Sequence, residues 1–244
     1  IPIFIGFILP IIELSLWALE TNVDIFNNKF LVGSFNTITL GLFTGLICAL
    51  LAIVINFSIR FTKNKFLERL NSLMSIGYAI PGLILAVGIT RFLVFSDQNV
   101  FTNINFVITG SLVGLFLAYI IKSYALANSS IESGYERISN SIDNSAQLLG
   151  SSGGKLLGRI HFPLMRTSFL TAVLLVTSEV VKELPATLIL RPFNFDTLAV
   201  ITYTYAAEER MYQAALPSLA IVIIGIIPII FLTKMIRSSR IKDS

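Results

Sequence analysis

Charge is scarce in this chain. Aspartate, glutamate, lysine and arginine make up 13% of its 244 residues, 55% are hydrophobic, and the mean hydropathy is +0.81. A water-soluble domain carries about 25% charged residues, so the shortfall points to a membrane protein before any residue is placed. Cysteine is scarcer still. Cys48 is the only one, which excludes an intrachain disulfide and a cysteine-held metal cluster. It lies in an apolar run, where a thiol packs as a small hydrophobe. His161 is the sole histidine and has no partner at metal-ligand spacing. No nucleophile–base pair or carboxylate dyad is visible, so no catalytic residue and no metal site is assigned. The net charge of +4 arises without a basic run interleaved with aromatics, which argues against a nucleic-acid partner. A basic leader and a small-residue cleavage site are also lacking at the start. The chain opens at Ile1 inside an apolar run, and the expectation is a piece of a longer protein.

What is there is long apolar sequence. A helix needs about 20 apolar residues to cross a bilayer. Six stretches meet this: Ile1–Leu19, Asn36–Phe57, Leu73–Phe95, Ile104–Ser123, Phe169–Leu190 and Ala214–Met235. They are too continuous for the short alternating strands of a membrane barrel. The fold class expected is all-α, a polytopic membrane protein of six transmembrane helices forming a single domain over residues 1–244. Basic residues set its orientation, because cytoplasmic loops are enriched in them. Arg60, Lys63, Lys65 and Arg69 follow the second span; Lys122, Arg137, Lys155, Arg159 and Arg166 surround the loop after the fourth; Lys234, Arg237, Arg240 and Lys242 follow the sixth. The opposite loops hold only Lys29, Arg191 and Arg210. The 124–168 loop and the tail are therefore cytoplasmic, and 191–213 is external.

The 124–168 loop is the one cytoplasmic segment large enough to do work. Ile138, Ile142, Ala146 and Leu149 recur at helical spacing. Gly150 breaks that helix, and Ser151 or Ser152 can cap a second one over Gly153–His161. Pro163 is expected to stop it and mark re-entry into the membrane. The stretch LLGSSGGKLLGRIHFPLM (148–165) nearly spells a phosphate-binding loop. That loop requires G-x-x-x-x-G-K-[ST], whereas Gly150 and Gly154-Lys155 are one residue too close and Leu156 stands where the hydroxyl belongs. Leu148, Leu149, Leu156, Leu157, Ile160 and Phe162 are too apolar for a solvated linker and point to a surface for a protein partner.

The spacing of these residues resembles the cytoplasmic loop of permease subunits of bacterial ABC importers. Its form is E-A-A, three residues, Gly, nine residues, Ile, two residues, Pro. Here Ala146, Gly150, Ile160 and Pro163 match, while Asn144 and Ser145 replace Glu and Ala, with Asp143 next door. GYAIPGLILAVG (77–88), VVKELPATLILRPFNFDTLAVITY (180–203) and AALPSLAIVIIGIIPII (214–230) are similar to the ferric-iron subgroup, with thiamine, polyamine and phosphonate permeases as relatives. The resemblance implies an inner-membrane, multi-pass subunit without catalysis or a cofactor of its own, in which Ser145, Ala146, Gly150, Ile160 and Pro163 dock on a partner. It implies a homodimeric ATPase partner carrying ATP and magnesium, a periplasmic or lipid-anchored substrate-binding protein, a second permease half, fused or separate, and contact with membrane lipid. A start at Ile1 fits the C-terminal half of a two-half chain.

Ionisable residues inside a span usually face protein or a wet cavity. Glu179, Lys182 and Glu183 lie in the fifth span, with Glu179 and Glu183 on one face and Lys182 one turn from Glu179. They either lock helices together or border the pathway and exchange partners during transport. Pro185 and Pro81 deprive the Val181 and Gly77 carbonyls of their helical partners, and a kink is expected at each. Broken helices are tolerated where they line a cavity, so Pro81 and Pro185 either line the pathway or merely curve packed spans. Glu13 and Arg91 are expected against protein or an interface. Two other classes stay open: an ion-coupled secondary transporter using Glu179, Lys182 and Glu183 as a relay, and a membrane scaffold.

Overall fold

A computed structural model describes residues 1–20, 27–100 and 107–242, with side chains undescribed at 232 and from 235 onward. Helices dominate, and no strand occurs among the described residues. A wide π turn at Phe4–Ile8 leads into α1 (Leu9–Glu20), followed by α2 (Asn28–Thr62), α3 (Lys65–Ile76) and α4 (Gly82–Asn99). Then come α5 (Leu112–Glu136), α6 (Asn140–Leu148) and α7 (Gly153–Leu156). A second π turn, Leu157–His161, joins α7 to α8 (Phe162–Val181), and α9 (Pro185–Leu190), α10 (Leu198–Ala207) and α11 (Met211–Lys242) complete the order.

Four helical runs are long and apolar enough to cross a membrane: α2, α5, the continuous run Gly153–Val181, and α11 through Phe231. A bent pair, Lys65–Ala79 and Gly82–Asn99, makes a fifth if counted as one span. The expected fourth span began at Ile104, but residues 104–106 lie outside those described, and α5 starts at Leu112.

Four expected boundaries are corrected. The stretch Leu73–Phe95 is two helices at 117°, not one kinked span. Ile80 and Pro81 are both extended, at ψ 126 and 132, because a residue preceding proline is pushed out of the α region. The stretch Phe169–Leu190 is likewise divided. Its first helix ends at Val181, and Pro185 starts α9, where a missing N–H costs nothing because a first-turn donor has no helical acceptor. Finally, Tyr124–Glu136 belong to α5 rather than to the loop. Pro163 does not stop its helix either; it is the second residue of α8, directly after the π turn. A π turn shifts the hydrogen-bond register, which lets the helix carry a residue without an N–H.

The chain divides into two compact units, with boundaries inside α2, α5, α8 and α11. One comprises residues 1–41, 81–118 and 177–229. Within it α4 packs on α9, and Leu85, Ala86, Ile89, Leu93, Ala186 and Leu190 are buried. Thr37 Oγ1 accepts from the Leu198 N–H at 2.9 Å, and Asn36 Nδ2 donates to the Asp196 carbonyl at 2.9 Å. These bonds tie the start of α2 to the chain entering α10.

The other unit comprises residues 42–80, 119–176 and 230–244. Its core is built on small residues, including Ala49, Ala52, Ala127 and Ala172, which let helix backbones approach closely in a membrane setting. At Gly77 a methyl group would collide with the Ile121 carbonyl oxygen, and at Gly134 it would sit 2.6 Å from Ser168 Oγ. Buried polar pairs add direction: Asn56 Nδ2 donates to Asn128 Oδ1 at 2.7 Å, and the Tyr124 hydroxyl donates to Asn71 Oδ1 at 2.6 Å.

Candidate coupling site and broken spans

The segment from α6 to α7 closes on itself through a helix-ending turn. The Ser151 N–H donates to the Ala146 carbonyl at 2.9 Å and the Gly150 N–H to the Gln147 carbonyl at 2.9 Å. This is the Schellman arrangement, which needs a residue in the left-handed region just past the helix. Gly150 supplies it at φ +81, and Gly153 follows at φ +52. One face of the segment is buried: Ala146 and Leu156 are inside. The other face projects Leu148 and Leu149, 88% and 87% exposed. Asn144, Ser145, Gly150 and Pro163 are also exposed, and Ile160 is half-buried. Of the helical-spacing set, Ile138 and Ala146 face inward, whereas Ile142 and Leu149 do not. The spacing was real, but the buried face is rotated toward Asp143.

Asp143 is the residue that explains this rotation. Its carboxylate accepts from Arg60 Nε at 2.7 Å and bonds His161 Nε2 at 2.8 Å. A carboxylate only accepts, so the His161 proton in this contact resides on Nε2. Arg60, at the end of α2, also donates to the Tyr135 carbonyl at 2.9 Å, the Ile138 carbonyl at 2.7 Å and Asn140 Oδ1 at 3.2 Å. Asp143 sits in the first turn of α6, where the helix dipole favours negative charge. His161 is fully buried among the rings of Phe57, Phe61 and Tyr135, with centroids 5.5, 5.9 and 5.5 Å away. Among the described residues, its Nδ1 has no hydrogen-bond partner. Sequence spacing pointed to the position beside Asn144 but missed Arg60 and His161, which lie 83 and 18 residues from Asp143. Two signals were available: Arg60 is a lone arginine at the end of an apolar run, and His161 is a histidine flanked by Ile160 and Phe162.

The second candidate cluster lies at the break between α8 and α9. Glu179 and Lys182 form an ion pair at 2.9 Å, with side chains 21% and 62% exposed. Glu183 is buried, and its carboxylate accepts from the Ala186 N–H at 3.3 Å, while its carbonyl accepts from Thr187 Oγ1 at 2.6 Å. The carboxylate therefore caps α9, a helix that begins with Pro185. Pro81 stands at the head of α4, so the two helices headed by the predicted prolines are the pair that packs together. Glu13 and Arg91 are exposed on the chain. Among the described residues, no three His, Cys, Asp or Glu side chains converge as a metal site.

These helices have the fold of the membrane-spanning subunits of ABC transporters. A chain of a bacterial ABC transporter involved in alginate import matches with a TM-score of 0.69 over 98% of this chain and 91% of its own, at 16% identity. The MetNI methionine ABC transporter matches with a TM-score of 0.61 over 83% and 94%, at 13% identity.

In sequence, the chain is similar to the Fe(3+)-transport system permease protein FbpB 2 of Haemophilus influenzae, 25% identical over 92% of this chain and 44% of the relative. It thus spans less than half the length of that protein. It is also similar to the PhnV permease of Salmonella typhimurium, whose name assigns it to 2-aminoethylphosphonate transport, at 26% identity over 78% of this chain and 68% of the relative. No family model matches the chain. The apolar spans and these relatives make it a multi-pass protein of the inner membrane.

Proposed function

We propose that the chain is the permease component of an ATP-driven importer and that its cargo is ferric iron. The observation that carries the transport class is the α6–α7 segment. It presents two exposed leucines beside a left-handed glycine turn while its opposite face is clamped by Arg60 and Asp143. Such a rigid apolar projection serves as a docking surface for an ATP-hydrolysing subunit. Movement of that subunit would reach the spans through the segment, and the work done depends on contacts that differ between two states. In this reading the chain has no catalytic step. A partner ATPase binds ATP and magnesium, an external binding protein delivers cargo, and a second permease half completes the pathway.

Ferric iron is favoured by similarity over nearly the whole chain to an iron permease. The phosphonate relative carries the second reading. The Glu179–Lys182 pair beside the α8–α9 break, half-buried at Glu179 and exposed at Lys182, is proposed to border the pathway.

The test is uptake by sealed vesicles containing the full permease, its ATPase and its binding protein. Radiolabelled ferric iron should accumulate only with ATP. Accumulation of 2-aminoethylphosphonate instead would replace iron as the cargo. Uptake driven by a proton or sodium gradient without ATP would overturn the importer reading.

A further inference from the structure

We propose that Asp143 is a positioning residue that holds the coupling segment in its docking pose by joining three otherwise separate pieces of chain. The proposal rests on the reading of α6–α7 as an ATPase-docking segment. Through Arg60, Asp143 connects α6 to the end of α2. Arg60 in turn caps the end of α5 by taking the Tyr135 carbonyl, and takes the Ile138 carbonyl in the link before α6. Through His161, Asp143 connects α6 to the π turn at the foot of α8.

One carboxylate thus fixes α6 against two membrane-crossing helices, using a different oxygen for each: Oδ2 for Arg60 and Oδ1 for His161. Two directed, charge-assisted bonds at separate lone pairs fix rotation as well as position. The consequence is geometric. With Asp143 and Ala146 held inward, Leu148 and Leu149 are forced outward. Apolar packing alone does not choose this rotation, because Ile142 and Leu149 are exposed although they continue the hydrophobic spacing of Ile138 and Ala146.

A second property follows from the cage around His161. The ring touches Phe57 and Phe61 of α2 and Tyr135 of α5. A side chain hydrogen-bonded to Asp143 thereby also packs on the elements that Arg60 clamps. Displacing α6 must move α2 and α8 with it or break the network. Asp143 is accordingly suited to pass displacement of the docking segment to these two helices.

The test is equilibrium binding of the partner ATPase to the full permease in lipid nanodiscs, with thermal unfolding measured alongside. The variants are Asp143→Asn, Asp143→Glu and Arg60→Lys. If the competent pose drops to one molecule in ten, the apparent Kd rises about tenfold, because affinity scales with the competent fraction. Asp143→Asn should show about this loss in the molecules that remain folded, beyond whatever fall in unfolding temperature accompanies it. Asp143→Glu, which keeps the charge, should recover most of the affinity. Arg60→Lys, which keeps charge but lacks the planar fork, should lose several-fold and decides the matter if Asp143→Asn fails to fold.

Parental affinity in Asp143→Asn or, failing its folding, in Arg60→Lys overturns the proposal. So does an affinity loss that merely tracks the unfolded fraction, or an Asp143→Glu variant no better than Asp143→Asn. A parent chain that binds no ATPase overturns the docking reading itself, and this proposal with it.

Discussion

Gly150 offers a perturbation in which backbone conformation is separated from space. Its φ is +81, and a methyl group added there meets nothing within 4 Å. Substitution by alanine therefore introduces no collision. It introduces only the left-handed penalty, about 1–2 kcal/mol for an L residue. Asparagine carries a larger side chain yet visits this region far more readily. A purely steric role would rank Asn below Ala, whereas a conformational role ranks Ala below Asn. Because the turn is exposed at the end of a short helix, the penalty can be relieved by opening the turn instead of unfolding the unit. One to two kcal/mol corresponds to roughly 5–30-fold in the population of the closed turn. ATPase binding to Gly150→Ala should weaken by up to this factor, as affinity follows the closed fraction, while the thermal unfolding midpoint stays near the parent's. Gly150→Asn should bind nearly as the parent does. Gly150→Asp shares the conformational tolerance but places a charge at the docking face, so it should lose affinity at unchanged stability. Equal affinities for the Ala and Asn variants would refute the conformational argument. A parallel collapse of abundance in all three would show that the turn is a folding determinant.

Three further outcomes are expected. Gly77→Ala should destabilise the chain by about 1–3 kcal/mol or more, because the new methyl strikes a backbone carbonyl of Ile121, whereas Gly88→Ala, which meets nothing within 4 Å, should not; thermal unfolding in detergent compares them. Glu183→Ala should lower the unfolding midpoint more than Lys182→Met, since Glu183 is buried and caps α9 while Lys182 is largely exposed; loss of a helix cap costs about 0.5–2 kcal/mol, and the reverse order would mean the ion pair is the structural element. In a Cys48→Ala background, an impermeant thiol reagent on intact cells should label Asn194→Cys but not Ser139→Cys, and the opposite pattern would invert the topology.

Much of the architecture was legible because the membrane enforces it. A backbone in lipid must satisfy its own hydrogen bonds, so long apolar runs become helices: α2 and α11 enclose the expected second and sixth spans, whereas α5 runs past the expected end at Ser123 to Glu136. Two of the boundaries that moved were set by proline. At Pro81 apolar content continues without interruption, and at Pro185 it resumes directly after Glu179, Lys182 and Glu183, so local backbone sterics set both breaks. Hydropathy averages over about 20 residues and is blind to such a break. Pro163 shows the converse, because a π turn ahead of it lets the helix continue. The same residue type thus divides two spans and leaves others intact: Pro163 follows a π turn, and Pro217 and Pro228 lie inside α11.

The charge network was hidden for a related reason. Asp143 was visible beside the coupling motif, but its partners are contributed by helices far away in sequence, and no periodicity links Arg60 to it. Composition nonetheless limits the possibilities. In a chain with few charges, each one near a membrane needs a partner or water, because burying an uncompensated charge is costly. Arg60 at the end of a 35-residue helix meets that need with one carboxylate and two carbonyls. Glu183 meets it in part with the Ala186 N–H in the first turn of a proline-headed helix. Both solutions use charge to define where a helix begins or ends. They occur at the proposed coupling segment and at the break between α8 and α9.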